Sequence, residues 1–339
     1  MGASLMIRRL LFALLSLGLA TGPAAAQSKP VLTVYTYSSF AGKYGPGKTV
    51  KERFEAVCAC ELAWVTAEDA GSLLGRLRLE GEGTRADAVV GLDMNLAAEA
   101  RALGLFAPHG AEVKDLTLPI AWADDTFIPF DWGYYAFVYD ANKLAAPPKS
   151  LKELVESANG PKVVLQDPRT SAPGLGLLLW MRKVYGDKAD EAWAQLKPRI
   201  VTFTKGWSEA YGLFLKGEAD MVMSYTTSPA YHIVAEKKSN YKAAAFTEGH
   251  YLHVELAGMT RTTRQPELAR RFMAFVLGEP FQSAMPEGNW MMPAKAPAGG
   301  LPEAFRNIVT PAKALLFTPE EVQQNRRAFV DGWLNATTR

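Results

Sequence analysis

The sequence carries no surplus of charge of either sign. Its 37 lysines and arginines are balanced by 35 aspartates and glutamates. Arg8 and Arg9 lie in a predicted signal segment. Its removal leaves a mature chain whose net charge is close to zero. Proteins that bind nucleic-acid phosphates normally show a basic surplus. The charge balance therefore argues against a nucleic-acid partner.

Long apolar runs are also lacking. After the N-terminus, no stretch approaches the length of about 18 apolar residues expected of a membrane-spanning helix. The run over residues 10–20 is too short to span a bilayer, follows Arg8 and Arg9, and precedes the small residues Ala24-Ala25-Ala26. This is the pattern of a secretory signal peptide, residues 1–26, cleaved after Ala26. We expect an exported chain with no membrane span.

Cysteine and histidine are scarce, with two and four residues respectively. The even cysteine count of an exported chain suggests a disulfide between Cys58 and Cys60. A Cys-x-Cys ring is small and prone to strain, which leaves the pairing open. Two thiols without a histidine cluster make a poor zinc site, and no phosphate-binding loop of Walker A spacing occurs. We therefore predict no metal site and no nucleotide triphosphatase.

Strand-like and helix-like segments alternate along the chain, as in α/β proteins. The β-branched and aromatic residues 31–37 predict a first strand. An aromatic run over residues 125–140 and a second run over residues 250–259 are typical of strands that cross between two lobes. The predicted division is lobe 1 from residues 27–135 and 251–295, and lobe 2 from residues 136–250 and 296–339.

The stretch from Lys205 to Tyr231 is the most informative one. It predicts a loop, a helix, a strand and the start of another helix, with Ser228 as N-cap and Pro229 in the first turn. Residues just past the carboxyl end of a strand lie where open α/β sheets bind ligands. This set contains no nucleophile–base pair, which favours binding over catalysis. Its hydroxyl and aromatic members are Tyr225, Thr226, Thr227, Ser228 and Tyr231.

Two further strand-to-helix junctions have the marks of an anion site. One contains Asp69 and Ala70, the other Ser171 and Ala172. A helix N-terminus offers unpaired amide donors and the positive end of the helix dipole, which suits a phosphate. Such junctions also occur in α/β proteins that bind nothing there, so alone they leave a purely structural role open.

An aromatic set indicates what kind of molecule could bind. Tyr37, Trp207, Tyr225, Tyr231 and Trp290 are all predicted in loops or at the ends of elements. Aromatic faces stack on flat heterocycles and attract cations. The set predicts a site for a cationic heterocycle, although eight tryptophans also make a chance grouping of aromatics plausible.

Several long runs resemble the periplasmic thiamine-binding proteins of bacterial ABC importers. They are residues 31–37, 166–180, 205–217 and 224–231, together with the Cys-x-Cys pair, Gly288-Asn289-Trp290 and the terminal helix. The resemblance covers nearly all of the mature chain. It implies a type II periplasmic binding protein fold, with two α/β lobes joined by two crossover strands. It also implies a cleft that closes on thiamine, thiamine monophosphate or thiamine diphosphate, and delivery to an inner-membrane ABC permease.

The resemblance assigns binding roles to Asp69, Ala70, Ser171, Ala172, Trp207 and residues 225–228, and an aromatic sandwich to Tyr37, Tyr231 and Trp290. Three positions depart from the family pattern. Ala70 stands for a glycine, Ala172 for a threonine, and Ser38 for an aspartate. The lost threonine hydroxyl puts the preference between thiamine and its phosphates in doubt.

Two kinds of alternative remain. A protein of the same fold could bind ferric ion or a polyamine, and iron would require a compact set of tyrosine, histidine and carboxylate ligands. A thiaminase-like enzyme would use a cysteine nucleophile, which a disulfide between Cys58 and Cys60 would silence. We expect a binding protein with no cofactor other than its transported ligand.

Overall fold

The structure, a computed structural model, describes residues 29–338. The predicted signal peptide and its cleavage site lie outside the described residues. The strands are β1 (Val31–Tyr37), β2 (Glu61–Ala67), β3 (Ala88–Asp93), β4 (Phe106–Ala107), β5 (Ile128–Asp140), β6 (Val163–Gln166), β7 (Ile200–Thr204), β8 (Met221–Tyr225), β9 (Tyr241–Ala243), β10 (His250–Thr260), β11 (Met292–Pro293) and β12 (Ala314–Leu315).

The α-helices alternate with these strands. They are α1 (Ser38–Ala41), α2 (Gly47–Cys58), α3 (Ala70–Glu80), α4 (Ala97–Ala102), α5 (Leu151–Glu156), α6 (Ala172–Tyr185), α7 (Ala189–Leu196), α8 (Trp207–Leu215), α9 (Pro229–Ala235), α10 (Pro266–Val276), α11 (Glu279–Gln282), α12 (Met285–Gly288) and α13 (Pro319–Thr338). Short 3₁₀ turns cover Gly81–Gly83, Met94–Leu96, Gly186–Lys188, Lys197–Arg199 and Glu303–Phe305.

The sheet order is β2-β1-β3-β10-β5-β8-β6-β7, which confirms the predicted two-lobed α/β fold. β1 pairs in parallel with β2 and β3 in one lobe, and β6 pairs in parallel with β7 and β8 in the other. β5 and β10 run antiparallel to each other between these groups. Within β5, Tyr134 pairs with β10 whereas Tyr135 pairs with β8, so the strand passes from one lobe to the other at this point. Both predicted crossover strands are confirmed.

The central strands of the sheet are fully buried. β3 and β10 are buried at every position because helices cover both faces of the sheet. One core lies under α2 and α10, where Phe54 and Phe272 meet with ring centroids 5.0 Å apart. The carboxyl ends of β1, β2, β6 and β8 all point to the groove between the lobes, where ligands bind in open α/β sheets.

Side-chain caps form at the starts of two helices. Thr318 and Glu321 form a reciprocal capping box at the start of α13, and Ser150 caps α5 through the amide of Glu153. The prediction for Ser228 is wrong. It precedes α9, but its hydroxyl makes no cap bond and lies 2.7 Å from the Ser224 hydroxyl, because its backbone is already helical.

The proposed lobe boundaries stay a prediction. The terminal helix α13 contacts both halves of the molecule. Arg326 pairs with Glu99 of the first half at 2.8 Å, whereas the ring of Trp333 meets Phe203 of the second half at 5.0 Å. The helix therefore connects the two halves of the molecule.

Cys58 and Cys60 form a disulfide, which settles the pairing that the sequence left open. Both are buried against the first core. Ala59 between them adopts φ 54°, a left-handed conformation that alanine rarely takes. The ring therefore fixes an unfavourable turn between α2 and β2.

Replacing both Cys58 and Cys60 with alanine should lower the free energy of unfolding by about 1.5 kcal/mol, the loop-closure value for so short a ring. Urea unfolding of the variant and of the oxidised wild type measures the difference. Adding a reductant should shift the wild-type midpoint and leave the variant unchanged. Equal midpoints for variant and wild type would mean that the ring contributes no constraint.

Candidate functional site

A cavity of about 590 Å³ lies in the groove between the lobes, within the range of about 300–1,000 Å³ typical of small-molecule sites. Both lobes contribute to it. Its lining residues are Tyr37, Ser38, Ser39, Gly42, Lys43, Tyr44, Gly45, Asp69, Trp207, Ser208, Tyr211, Gly212, Leu215, Tyr225, Ser228, Tyr231, Glu255, Gly288, Asn289, Trp290 and Met291.

Seven of the twelve predicted site residues line this cavity. They are Tyr37, Asp69, Trp207, Tyr225, Ser228, Tyr231 and Trp290. The other five lie behind its wall. Ala70, Ser171 and Ala172 surround the Asp69 carboxylate, whereas Thr226 and Thr227 are buried beneath the turn before α9.

Asp69 is the main polar link across the groove. It ends the segment between β2 and α3, yet its carboxylate reaches the N-termini of two helices of the other lobe. Oδ1 accepts from the Ala172 amide of α6 at 3.0 Å, and Oδ2 accepts from the Ser171 hydroxyl at 2.8 Å and the Trp207 amide of α8 at 3.2 Å. Its own helix is capped through the Ala70 amide at 2.7 Å. Asp69 therefore joins the lobes at the two junctions predicted to bind an anion.

The electrostatics of Asp69 follow from this position. Burial raises the pKa of its carboxyl above the usual value, and the four donors oppose that rise. Two helix N-termini place positive dipole ends next to the carboxylate. The carboxylate thus occupies the donors that a ligand phosphate would otherwise use.

Aromatic rings form the walls of the cavity. Trp207 stacks on Tyr211 with centroids 4.8 Å apart, and Tyr231 meets Trp290 edge-on at 5.3 Å. The Trp207 indole donates to the Ser224 hydroxyl at 2.8 Å, which fixes the ring against β8. The predicted aromatic set therefore converges on a single space, with rings from both lobes.

Trp290 is held in an unusual backbone conformation. Its φ of 58° is left-handed, a region that bulky residues rarely enter. The turn of α12 holds it there, since the amides of Asn289 and Trp290 both donate to the Met285 carbonyl. Such strain at a cavity wall is typical of functional sites and indicates that the indole position matters.

The floor of the cavity is polar and rigid. The Tyr37 hydroxyl donates to Glu255 Oε2 at 2.7 Å, and the Asn289 amide nitrogen lies 3.0 Å from the same oxygen. Burial, followed by the Glu255 charge, raises the pKa of Tyr37 well above its usual value, so the hydroxyl stays a donor. Gly91 makes room for the ring, because a Cβ there would lie 2.2 Å from Tyr37 Cδ1.

Sequence reasoning missed about two thirds of the cavity wall. The segment after β1 contributes Ser38, Ser39 and residues 42–45, and α8 contributes Ser208, Tyr211, Gly212 and Leu215. The available signal for these residues was their polar and aromatic character, after the end of β1 in one group and along α8 in the other. Glu255 could also have been found, since it is the single acid in the buried crossover strand β10.

The geometry of the described residues argues against two of the alternatives, a ferric-ion site and a thiaminase-like enzyme. Among residues 29–338, no group of three or more histidine, cysteine or acidic side chains is arranged to hold a metal ion. His232, the histidine closest in sequence to the tyrosine pair, contacts the Tyr211 hydroxyl at 2.8 Å and Glu236 at 2.9 Å. The thiols needed by a thiaminase-like enzyme are joined in the disulfide and do not line the cavity.

Within residues 29–338, no helix is long and apolar enough to cross a membrane. The sequence matches the family described as bacterial extracellular solute-binding protein over residues 49–298. The thiamine-binding periplasmic protein of Escherichia coli (strain K12) is 57% identical over 321 residues, which cover 95% of this chain and 97% of that protein.

Solved structures agree with these sequence matches. A structure titled periplasmic thiamin binding protein superposes with a TM-score of 0.90 at 57% identity, covering 94% of this chain and 99% of that one. A periplasmic binding protein of Actinobacillus pleuropneumoniae, solved with fructose-6-phosphate, gives a TM-score of 0.77 at 16% identity over 92% and 99% of the two chains. This second likeness shows the fold alone.

Proposed function

Since the chain belongs to the bacterial extracellular solute-binding proteins, and its relatives are periplasmic thiamine-binding proteins, we propose that it binds thiamine in the periplasm and delivers it to an inner-membrane ABC permease. The observation that carries the proposal is the cavity itself. It brings the predicted aromatic residues of both lobes around one space. The relatives are binding proteins and not enzymes.

Thiamine has the chemistry that this cavity favours. Its two flat rings suit walls built from Trp207, Tyr211, Tyr231 and Trp290, and its permanent cation is attracted by aromatic faces. Contacts from both lobes would stabilise the closed arrangement of the cleft, which is how a ligand shifts a hinge equilibrium. A permease could then distinguish the loaded protein from the free one by the lobe arrangement.

Thiamine monophosphate and diphosphate are proposed as further ligands. A phosphate would be directed towards the N-terminus of α8 in the cavity wall, with the N-terminus of α6 behind it. Ser208, in the first turn of α8, lines the cavity there. A phosphate must share these donors with the Asp69 carboxylate or displace it. We therefore expect the phosphates to bind no more tightly than thiamine itself.

Calorimetric titration with thiamine, its monophosphate and its diphosphate tests the proposal. We expect saturable thiamine binding with a Kd of about 1 μM or below, equivalent to about 8 kcal/mol, and a change in tryptophan fluorescence from Trp207 and Trp290. The absence of both heat and fluorescence change would remove the thiamine assignment.

Replacing Trp290 with leucine should weaken thiamine binding by about 0.5–2 kcal/mol. Leucine keeps much of the apolar area and loses the attraction between the indole face and the cation. Titration of Trp290→Leu with thiamine and with its uncharged thiophene isostere separates charge recognition from packing. Equal losses for the two ligands would show that the indole packs against the ligand without recognising its charge.

A further inference from the structure

Three acidic side chains lie side by side beneath the cavity floor. Glu255 on the central crossover strand β10 pairs in register with Asp93 of β3 on one side and Asp131 of β5 on the other. All three are buried, and His253 lies two positions earlier on the same strand. Burying so much charge is costly unless it is paired, so the arrangement requires an explanation.

Part of this charge is balanced within the network. His253 Nδ1 lies 2.9 Å from Asp93 Oδ2. Burial alone would lower the pKa of His253, but the hydrogen bond to Asp93 and the neighbouring Glu255 raise it to about 10. His253 is therefore cationic at neutral pH and lies between two carboxylates, because its Nε2 is also 3.6 Å from Glu255 Oε1. One cation is thus shared between Asp93 and Glu255.

Asp131 is the acid whose charged form is least favoured. Burial, followed by the adjacent Glu255 charge, raises the pKa of Asp131 well above its usual value. Its Oδ2 lies 2.6 Å from the Asn289 amide nitrogen. Asp131 lies beside Glu255 without lining the cavity.

Glu255 presents its carboxylate to the cavity. The residue is 6% exposed and lines the cavity. Oε2 is held by Tyr37 and Asn289, whereas no hydrogen bond among the described residues reaches Oε1, whose neighbour His253 Nε2 is 3.6 Å away. The other acid of the wall, Asp69, has both oxygens occupied by donors.

The basic residue of the cavity wall does not neutralise Glu255. Lys43 extends over the ring of Tyr44, 5.2 Å from its centroid, and Tyr44 is 70% exposed at the rim. An exposed ammonium is screened by solvent, whereas a buried carboxylate acts through a medium of lower dielectric constant. The floor therefore favours a positively charged ligand.

We propose that Glu255 selects the charge of the ligand: its carboxylate, fixed by Tyr37 and Asn289, is the counter-charge for the cationic ring and makes the site prefer a cation to an uncharged molecule of the same shape. The inference rests on the proposed thiamine function and names the residue that sets its ligand class. The aromatic walls bind flat rings, and Glu255 discriminates among them by charge.

The test compares thiamine with its uncharged thiophene isostere on the wild type, Glu255→Gln and Asp131→Asn. The wild type should bind thiamine at least about tenfold more tightly than the isostere, the effect expected of a nearby buried charge. Glu255→Gln should reduce this preference about tenfold through loss of thiamine affinity, with little change for the isostere. Asp131→Asn changes the neighbouring acid, which does not line the cavity, and should keep the preference within about threefold of the wild type.

Each outcome is decisive. Circular dichroism reports whether Glu255→Gln folds. Even if it does not, a wild-type preference for thiamine over the isostere below about threefold overturns the charge assignment. A Glu255→Gln variant that folds and keeps the wild-type preference overturns it as well, as does an Asp131→Asn variant that loses as much preference as Glu255→Gln. If the wild type binds neither ligand, the thiamine function itself fails and the charge assignment fails with it.

Discussion

Asp69→Ala should weaken thiamine binding by about 30- to 700-fold, equivalent to about 2–4 kcal/mol. The alanine leaves the amides of Ala172 and Trp207 and the Ser171 hydroxyl without their acceptor when the lobes meet. In an opened cleft, water can accept hydrogen bonds from these donors. The substitution therefore destabilises the closed arrangement relative to the open one. Because ligand affinity scales with the population of the binding-competent arrangement, the loss appears directly in Kd.

Calorimetry measures the affinity, and small-angle scattering of the loaded protein reports whether the lobes still close. Asp69→Asn serves as the control, since it keeps one acceptor oxygen and removes the charge, and its effect should be intermediate. An Asp69→Ala variant with the wild-type Kd would show that Asp69 caps α3 without joining the lobes.

Gly71→Ala should weaken thiamine binding about tenfold or more while leaving the thermal stability of the free protein unchanged or slightly higher. A Cβ at Gly71 would lie 2.8 Å from the Arg169 carbonyl oxygen and equally close to backbone atoms of Thr170 in the other lobe. Backbone atoms can move away only if the lobes separate, and overpacking of this kind costs about 1–3 kcal/mol. Alanine is also the better helix former, so α3 itself should not suffer.

Gly75→Ala on the same helix is the matched control, because a Cβ there meets nothing within 4 Å. It should bind thiamine like the wild type. Combining Gly71→Ala with Asp69→Ala should cost less than the sum of the two losses, since both act on one closure step. Equal affinities for Gly71→Ala and Gly75→Ala would show that the contact at Thr170 is absent from the ligand-bound state.

Much of the fold could be predicted from local pattern. The β-branched run at residues 31–37 is a strand with those bounds, and both crossover strands were located to within a few residues. Caps at Ser150 and Thr318 follow from residue type and spacing. Ser228 shows the limit, because its hydroxyl had a neighbouring serine to bond, and that competition is not visible in a cap pattern.

The sequence by itself determined the two-lobed α/β class and the aromatic character of the ligand. It also predicted the export signal. Those properties reside in periodicity, composition and residue type along single elements. Only the tertiary structure decided that Asp69 occupies the predicted anion donors, and that Glu255 lies between Asp93 and Asp131. These contacts join residues more than 100 positions apart. The meeting of the two lobes forms the Asp69 contacts, and the order of strands β3, β10 and β5 forms the Glu255 contacts. A hydrogen bond between two elements depends on how those elements are arranged in space. A sequence pattern shows only which face of its own element each residue occupies.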